Sequence, residues 1–131
     1  MLRNTVRVVL GLVATTLVLA TASAQDAYPS RAVTLVTPYA PGGGSDIVTR
    51  VLADALRRHL GQTVVVQNVS GGGGNVGTQA VARAAPDGYT LLTHHIGMAT
   101  APALFQNPGF DPLGSFEPVG LFADMPMLLV G

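Results

Sequence analysis

Two glycine-rich segments hold the residues best suited to bind a ligand. Residues 38–45 (PYAPGGGS) and 70–74 (SGGGG) each lie between an apolar run and a helical pattern. The N-terminus of a helix offers unpaired N–H groups and about half a positive charge, and glycine lets a ligand approach the backbone closely. Because neither segment contains Lys or Arg, the pattern predicts a small anion, a carboxylate rather than a nucleotide, held by backbone N–H groups.

Nucleotide-binding motifs fit these segments poorly, and we expect no cofactor. A Walker loop needs a Lys, and the chain has none. Gly72, Gly74 and Gly77 match G-x-G-x-x-G, but residues 93–97 (THHIG) stand where an NAD site needs an acid. Ordinary turn chemistry is the simpler alternative for either segment alone. Their recurrence in two successive strand–helix units favours a ligand site at the carboxyl ends of the strands.

Five polar or aromatic residues nearby are weaker candidates. His94 and His95 are adjacent, so on a strand they point to opposite faces and at most one faces a pocket; a hydrogen-bonded pair is a better interpretation than a metal site. Ser45 is better read as a helix cap than as a nucleophile, because no G-x-S-x-G elbow is present. Asp46 is either a plain first-turn acid or a group that orders water at the ligand. The loop position of Tyr39 favours the pocket over the core.

The composition excludes several classes of function. The chain has no Cys, which excludes disulfides, thiol nucleophiles and zinc–thiolate sites. Seven basic residues balance seven acidic ones, so no basic excess drives phosphate binding. Trp is absent and aromatics are only 5%, which leaves little for a base-stacking surface.

Apolar runs and helical periodicity alternate along the chain. The pattern predicts strands at residues 33–37, 63–68, 89–93, 116–122 and 125–130, and helices at 46–60, 75–85 and about 98–105. In the helices we expect Ile47, Val51, Val76 and Ala80 among the inward-facing residues, with Ser45 capping the first. This order predicts an α/β fold with a mostly parallel sheet and helices on both faces.

The first 24 residues have the pattern of a secretory signal. Arg3 and Arg7 precede the apolar residues 8–20, and Ala22-Ser23-Ala24 supplies the small residues of a cleavage site after Ala24. The apolar run is shorter than a membrane-spanning helix requires. We therefore expect a cleaved signal and a protein that works outside the cytoplasm.

Several stretches together resemble the Bug/TctC family, the extracytoplasmic solute receptors of tripartite tricarboxylate transporters. They are residues 38–43 (PYAPGG) with Asp46, 60–62 (LGQ), 71–77 (GGGGNVG) after Asn68, 86–92 (PDGYTLL), 102–105 (PALF) and 116–119 (FEPV). The resemblance implies the first lobe of a two-lobed, hinged type II periplasmic-binding-protein fold, truncated here, and no enzyme activity. It also implies a small carboxylate ligand, membrane transporter subunits as partners and a monomeric full-length receptor in the periplasm.

Carried over residue by residue, the resemblance places the ligand in the two glycine segments and at the end of the third strand. The residues expected to bind it are Tyr39, Pro41, Gly42, Gly43, Gly44, Ser45, Asp46, Gly72, Gly73, Gly74, Asn75, Thr93 and His94. Met98 departs from the family, which often has a polar residue there, so we expect a more apolar pocket edge.

Family members are far longer than this chain. We therefore expect residues 25–124 to form the first ligand-binding lobe and residues 125–131 to begin the crossover strand toward a second lobe that is missing. A single lobe cannot close on a ligand, so we expect the chain alone to bind weakly. Two alternatives stay open at this point: a stand-alone secreted α/β lobe with an interaction role, and a fragment of a secreted hydrolase that uses Ser45 or a His.

Overall fold

The computed structural model describes residues 27–124 and contains a parallel sheet of three strands. These are β1 (Val33–Thr37), β2 (Val64–Asn68) and β3 (Thr90–Leu92), in the order β2-β1-β3. All three are apolar and rich in β-branched residues, which favour extended backbone in a buried sheet. The register pairs Leu35 of β1 with Val66 and Leu91 on its two sides, so the carboxyl ends of the strands meet at one edge.

Three helices follow the strands in turn. They are α1 (Gly44–Leu60), α2 (Asn75–Ala82) and α3 (Gly97–Leu104), and a 3₁₀ turn at Gly72–Gly74 leads directly into α2. α1 packs on β1 and β2, whereas α2 packs on β1 and β3. Right-handed crossovers that run from β1 out to β2 and then back across β1 to β3 put these two helices on opposite faces of the sheet. The predicted α/β architecture is confirmed.

The core lies between α1 and the sheet. Val33, Leu35, Ala53 and Val64 are buried there. Two apolar residues of α1 that were expected to face inward do not: Ile47 is 57% exposed and Val51 is 66% exposed. The buried positions of α1 are instead Asp46, Thr49 and Ala53. Apolar residues cover more than half of the circumference of this helix, so their spacing alone could not fix its rotation.

The same correction applies to α2. Val76 is 50% exposed and Ala80 is also exposed, while Gly77 and Thr78 are buried. Small residues face the sheet because the helix lies close to the connection after β1, as described below. Packing distance therefore decided the buried face of α2, and hydrophobicity did not.

Several boundaries also differ from the sequence-based expectation. α1 begins at Gly44, so Ser45 lies inside its first turn and Gly43 is the N-cap. α2 ends at Ala82 rather than at residue 85. Residues 116–122 form no strand; Val119 is 85% exposed and Leu121 is 88% exposed, and extended chain becomes a strand only beside a neighbouring strand. The predicted signal and the strand at 125–130 lie outside the described residues.

An aromatic and charged contact joins the starts of β1 and β3, at the sheet edge opposite the glycine segments. The Arg31 guanidinium lies 3.9 Å from the centre of the Tyr89 ring and 2.7 Å from the Asp87 carboxylate. The Tyr28 hydroxyl donates a 2.7 Å hydrogen bond to the Gly88 carbonyl. Between residues 27 and 124, no helix has the length and apolar character needed to cross a membrane.

Candidate functional site

The carboxyl edge of the sheet brings three helix N-termini together. Each strand ends there, and each is followed by a connection that leads into α1, α2 or α3. We name residues 38–43 loop 1, which joins β1 to α1, and residues 69–74 loop 2, which joins β2 to α2. This is the position at which open α/β sheets bind their ligands.

Loop 1 is fixed by the side chain of Asp46. The carboxylate is buried, and its Oδ2 accepts hydrogen bonds from the Gly42 N–H at 2.9 Å and from Arg50 Nε at 3.0 Å. Asp46 occupies the third position of α1 and reaches back before the helix start, as the acid of a capping box does. This reach explains why the helix begins two residues earlier than expected and why Ser45 is not the cap.

Asn68, the last residue of β2, joins the same network. Its amide nitrogen donates to Asp46 Oδ1 at 2.9 Å and to the Tyr39 carbonyl at 3.1 Å. Its amide oxygen lies 3.3 Å from Arg50 Nη2 and accepts from it. Asn68 therefore connects the end of one strand to the loop that follows its neighbour.

These contacts hold the pKa of Asp46 down to about 2, from an ordinary value of 3.8. The hydrogen bond from Arg50 is the largest cause, followed by those from Gly42 and Asn68, while burial acts weakly in the opposite direction. The carboxylate is therefore ionised at any physiological pH. Its charge is compensated locally by Arg50. The structure thus gives Asp46 a role in fixing loop 1, beside the two interpretations raised from the sequence.

The first turn of α1 presents backbone donors. The first backbone bond of the helix is donated by Ile47 N–H to the Gly43 carbonyl, at 3.0 Å. The N–H groups of Gly44, Ser45 and Asp46 precede it and have no acceptor among residues 27–124. These three N–H groups lie at the positive end of a 17-residue helix. The first turn of α1 is therefore suited to bind a carboxylate.

Two carbonyls of loop 2 accept hydrogen bonds from the end of the loop and the start of α2. The Gly71 carbonyl accepts from Gly74 N–H at 3.0 Å and from Val76 N–H at 3.3 Å. The Gly72 carbonyl accepts from Asn75 N–H. The four glycines 71–74 have φ values of 141°, 56°, 68° and 100°. Residues with a Cβ rarely adopt such positive values. Within residues 27–124, the N–H groups of residues 70–73 have no acceptor, so these four are the remaining donors of loop 2.

Two close approaches fix loop 2 and α2 in place. A Cβ at Gly73 would lie 2.8 Å from Cζ of Phe105, so the ring after α3 covers this part of the loop. A Cβ at Gly77 would lie 2.9 Å from Cβ of Pro38. Gly77, the third glycine of the G-x-G-x-x-G match, thus permits close contact between helix and sheet and has no need of a dinucleotide to explain it.

Tyr39 spans the distance between the two loops. Its hydroxyl lies against Gly74 and Gly97, where an added Cβ would be 3.2 Å and 3.0 Å from the oxygen. The hydroxyl is buried and has no hydrogen-bond partner within the described part of the chain, and burial raises its pKa. The ring stacks on His95, with centroids 4.5 Å apart, and meets His94 edge-on at 5.6 Å.

The expectation that His94 and His95 point to opposite faces is wrong. β3 ends at Leu92, so the alternation of a strand does not extend to them, and both rings contact Tyr39. Nδ1 of His95 accepts the Gly97 N–H at 2.9 Å, at the start of α3. Burial is the main cause that lowers the pKa of His94. Within residues 27–124 no group of three potential metal ligands comes together.

Thr93 is buried rather than open to the edge of the sheet. Its hydroxyl lies 2.8 Å from the Thr49 hydroxyl of α1, which donates to the Ser45 carbonyl at 2.7 Å. Thr93 thereby ties the end of β3 to the first turn of α1. In this arrangement it supports the position of the backbone donors.

The structure brings most of the predicted site residues to one edge. Loop 1, the start of α1, loop 2 and the start of α2 contain Pro41, Gly42, Gly43, Gly44, Ser45, Gly72, Gly73, Gly74 and Asn75, with Tyr39 and His94 between them. Sequence reasoning missed Arg50, Asn68 and Phe105. The spacing of Asp46 and Arg50, four apart on a helix, could have predicted their pairing. Nothing local signalled the other two.

The sequence matches a known family and known relatives. Residues 48–131 match the tripartite tricarboxylate transporter family receptor, TctC. A curated Agrobacterium vitis protein, the UPF0065 protein in the TAR-I ttuE-ttuC' intergenic region, is 49% identical over 110 residues, which are 84% of this chain and 32% of that protein.

Two solved structures share the fold. The periplasmic binding protein BugD superposes with a TM-score of 0.69 and 55% identity, over 71% of this chain and 31% of BugD. MatC from Rhodopseudomonas palustris, solved with bound malate, gives a TM-score of 0.68 and 41% identity, over 70% of this chain and 32% of MatC. The chain thus spans about a third of the length of each of these relatives.

Proposed function

Because the chain belongs to the tripartite tricarboxylate transporter receptor family, we propose that it binds a small carboxylate in the periplasm and delivers it to a membrane transporter of that type. The observation that carries the proposal is the first turn of α1. Gly44, Ser45 and Asp46 offer three N–H groups without an acceptor among the described residues. Beside them, the buried Asp46 carboxylate is paired with the exposed Arg50 guanidinium.

The chemistry of these donors favours a carboxylate over other anions of similar size. A planar carboxylate can accept two or three N–H groups from one helix turn. Strong phosphate sites commonly use Lys or an unpaired Arg. The chain has no Lys, and Arg50 already pairs with Asp46 at 3.0 Å. These donors therefore fit a carboxylate better than a phosphate. The binding of malate by MatC is consistent with this choice.

In the proposed receptor the ligand bridges this lobe and a second one. A ligand that binds the closed form better than the open form shifts the equilibrium between them, and the closed form is the one presented to a transporter. The matched residues make up about a third of each relative's length, so the closing cleft, the transporter partner and the identity of the ligand are parts of this proposal. No hydrogen bond between the Ser45 hydroxyl and a base occurs within residues 27–124, so nothing favours the hydrolase alternative.

Thermal unfolding of the protein as its host secretes it tests this function. We expect malate, or another member of a panel of mono-, di- and tricarboxylates, to raise Tm; saturation at a hundred times Kd stabilises by about 2.7 kcal/mol. The dimethyl ester of malate, which carries no charge, serves as the control ligand. A panel in which no carboxylate raises Tm contradicts the proposal.

A pair of glycine variants localises the effect. Gly73→Val forces a β-branched residue to φ +68° and against Phe105, so we expect it to abolish the carboxylate-dependent rise in Tm. Gly120→Val adds the same side chain where nothing lies within 4 Å, and we expect the rise to persist. A rise in Tm that persists in both variants would show that loop 2 is not part of the site.

A further inference from the structure

We propose that Asn68 is a positioning residue of the carboxylate site, which holds loop 1 and the Asp46 side chain so that the first-turn N–H groups of α1 are left for the ligand. This inference rests on the proposed function and extends it to a residue outside both glycine segments. Asn68 ends β2, two residues before loop 2 becomes glycine-rich, yet its contacts are with loop 1 and α1.

Each hydrogen-bonding group of the Asn68 amide has a partner. The nitrogen donates to the Tyr39 carbonyl at 3.1 Å and to Asp46 Oδ1 at 2.9 Å. The oxygen accepts from Arg50 at 3.3 Å. Since a primary amide has two donor hydrogens and one acceptor oxygen, Asn matches these three groups and Asp does not. An aspartate here would place a second carboxylate 2.9 Å from Asp46 with no donor between them.

The reason for such a residue lies in the charge of Asp46. An acid in the first turn of a helix is attracted to the same free N–H groups that a ligand carboxylate would use. In the structure, Oδ1 is held by Asn68, and Oδ2 by Gly42 N–H and Arg50. Without Asn68, Oδ1 loses its donor, and the carboxylate competes with the ligand for the N–H groups of Gly44 and Ser45.

Asn68 also sets the path of loop 1. Thr37 and Asn68 are paired in the register of β1 and β2, and two residues later the Tyr39 carbonyl receives the Asn68 amide. That bond turns the chain toward Gly42, whose N–H reaches Asp46 at 2.9 Å. One side chain therefore fixes both ends of the loop that precedes the donors.

The experiment compares Asn68→Ala and Asn68→Asp with Gln67→Ala, an exposed neighbour on the same strand, all in the protein as its host secretes it. The probe is malate, or the panel member that binds the wild type best. We expect affinity to fall about tenfold or more in Asn68→Ala and further in Asn68→Asp, because the added charge opposes both Asp46 and the ligand. Gln67→Ala should bind as the wild type does.

A second readout separates positioning from simple loss of stability. The amide proton shift of Gly42, followed by NMR, should report the ionisation of Asp46 with a midpoint near pH 2, where its pKa lies in the wild type. In Asn68→Ala we expect that midpoint to rise toward 3.8, since one of the donors that lower it is gone. Gln67→Ala should leave it unchanged.

The outcomes are distinguishable. A wild type that binds no carboxylate refutes the proposed function, and the Gly42 midpoint then decides whether Asn68 holds Asp46. A wild type that binds, together with Asn68→Ala that binds equally well, overturns this inference alone. A loss of affinity with an unchanged Gly42 midpoint also overturns it, because Asn68 would then act by another route.

Discussion

Loops 1 and 2 have similar glycine-rich sequences and occupy equivalent places after neighbouring strands, but they are held by opposite means. Loop 1 is fixed from outside by side chains, through the bonds of Asp46 and Asn68 to Gly42 and Tyr39. Loop 2 is fixed from within, by the carbonyls of Gly71 and Gly72 and by four successive positive φ angles. Among residues 27–124, the first N–H groups of α1 have no acceptor, whereas the carbonyls of loop 2 accept from the first N–H groups of α2.

In the proposed carboxylate site, this difference would give the two loops separate roles. A loop whose shape depends on charge can be altered by acid or by the charge of a ligand, while a loop whose shape depends on φ resists both and is sensitive to any added Cβ. The free donors of α1 are thus presented by the adjustable loop. The backbone of loop 2 forms a rigid surface beside them, and the Phe105 ring packs against Gly73 on one side of it.

The largest test of this comparison replaces one glycine in each region by alanine. Gly73→Ala places a Cβ at φ +68° and 2.8 Å from Phe105, so we expect a loss of about 2 kcal/mol, which is roughly 8–16 °C in Tm for a domain of this size. Gly43→Ala, in loop 1, places a Cβ 3.5 Å from the Ala40 carbonyl oxygen, an ordinary contact, and should change stability by less than about 1 kcal/mol. Thermal unfolding at pH 7 measures both. Similar losses would mean that the two loops are held alike.

An intermediate effect is expected from acid, and only in loop 1. The folded-state pKa of Asp46, about 2, is below its usual 3.8, so the stability it contributes is complete above about pH 4 and is lost as the pH falls toward 2. Asp46→Asn should therefore remove part of the decrease in Tm between pH 5 and pH 2.5, by a few degrees.

Amide exchange locates this acid effect. The Gly42 N–H donates to Asp46, whereas the Gly74 N–H donates to a backbone carbonyl that does not titrate. We expect protection of Gly42 to decrease in the same pH range while that of Gly74 does not. Parallel loss at both amides would indicate general unfolding and contradict a local role for Asp46.

The smallest effect concerns the residues that join the two loops. Burial lowers the pKa of His94, whose ring meets Tyr39 edge-on, so the stability gained from its neutral form is present above pH 6.5 and decreases slightly as the pH falls below it. The His94 ring signal should titrate below pH 6.5 in NMR spectra. Tyr39→Ala removes the covering ring and should shift that midpoint upward, whereas Phe116→Ala, in the separate Phe110–Phe116 contact, should not.

Local patterns were sufficient to predict the architecture. Both ends of β1 were predicted at the residues where the structure has them. The order of strands and helices followed from the spacing of apolar residues and from Gly and Pro at the ends of these elements, which are local signals. Most of the predicted site residues lie together at one edge for the same reason, since successive βα connections in a parallel sheet share an edge. The family resemblance, drawn from short stretches of sequence, is confirmed by the match over residues 48–131.

Other features depended on groups far apart in sequence. The face of α1 that is buried includes Asp46, because Asn68 meets it from 22 positions away, and hydrophobic spacing carried no sign of this. The exposure of Ile47 and Val51 follows from the same rotation. The arrangement of both His rings on Tyr39 followed from the end of β3 at Leu92, a boundary that local propensity could not place.

Positive φ is a property of the glycine residue, so the positions at which a ligand could approach the backbone were evident from the glycines alone. The N–H groups that are left without an acceptor among residues 27–124 depend on the folded arrangement. For α2, carbonyls of the preceding loop accept the first N–H groups. For α1, the distant Asn68 side chain donates to the Asp46 carboxylate and so holds this acceptor away from the first N–H groups. Hydrogen bonds are directional and short, so such choices exist only once the chain is folded.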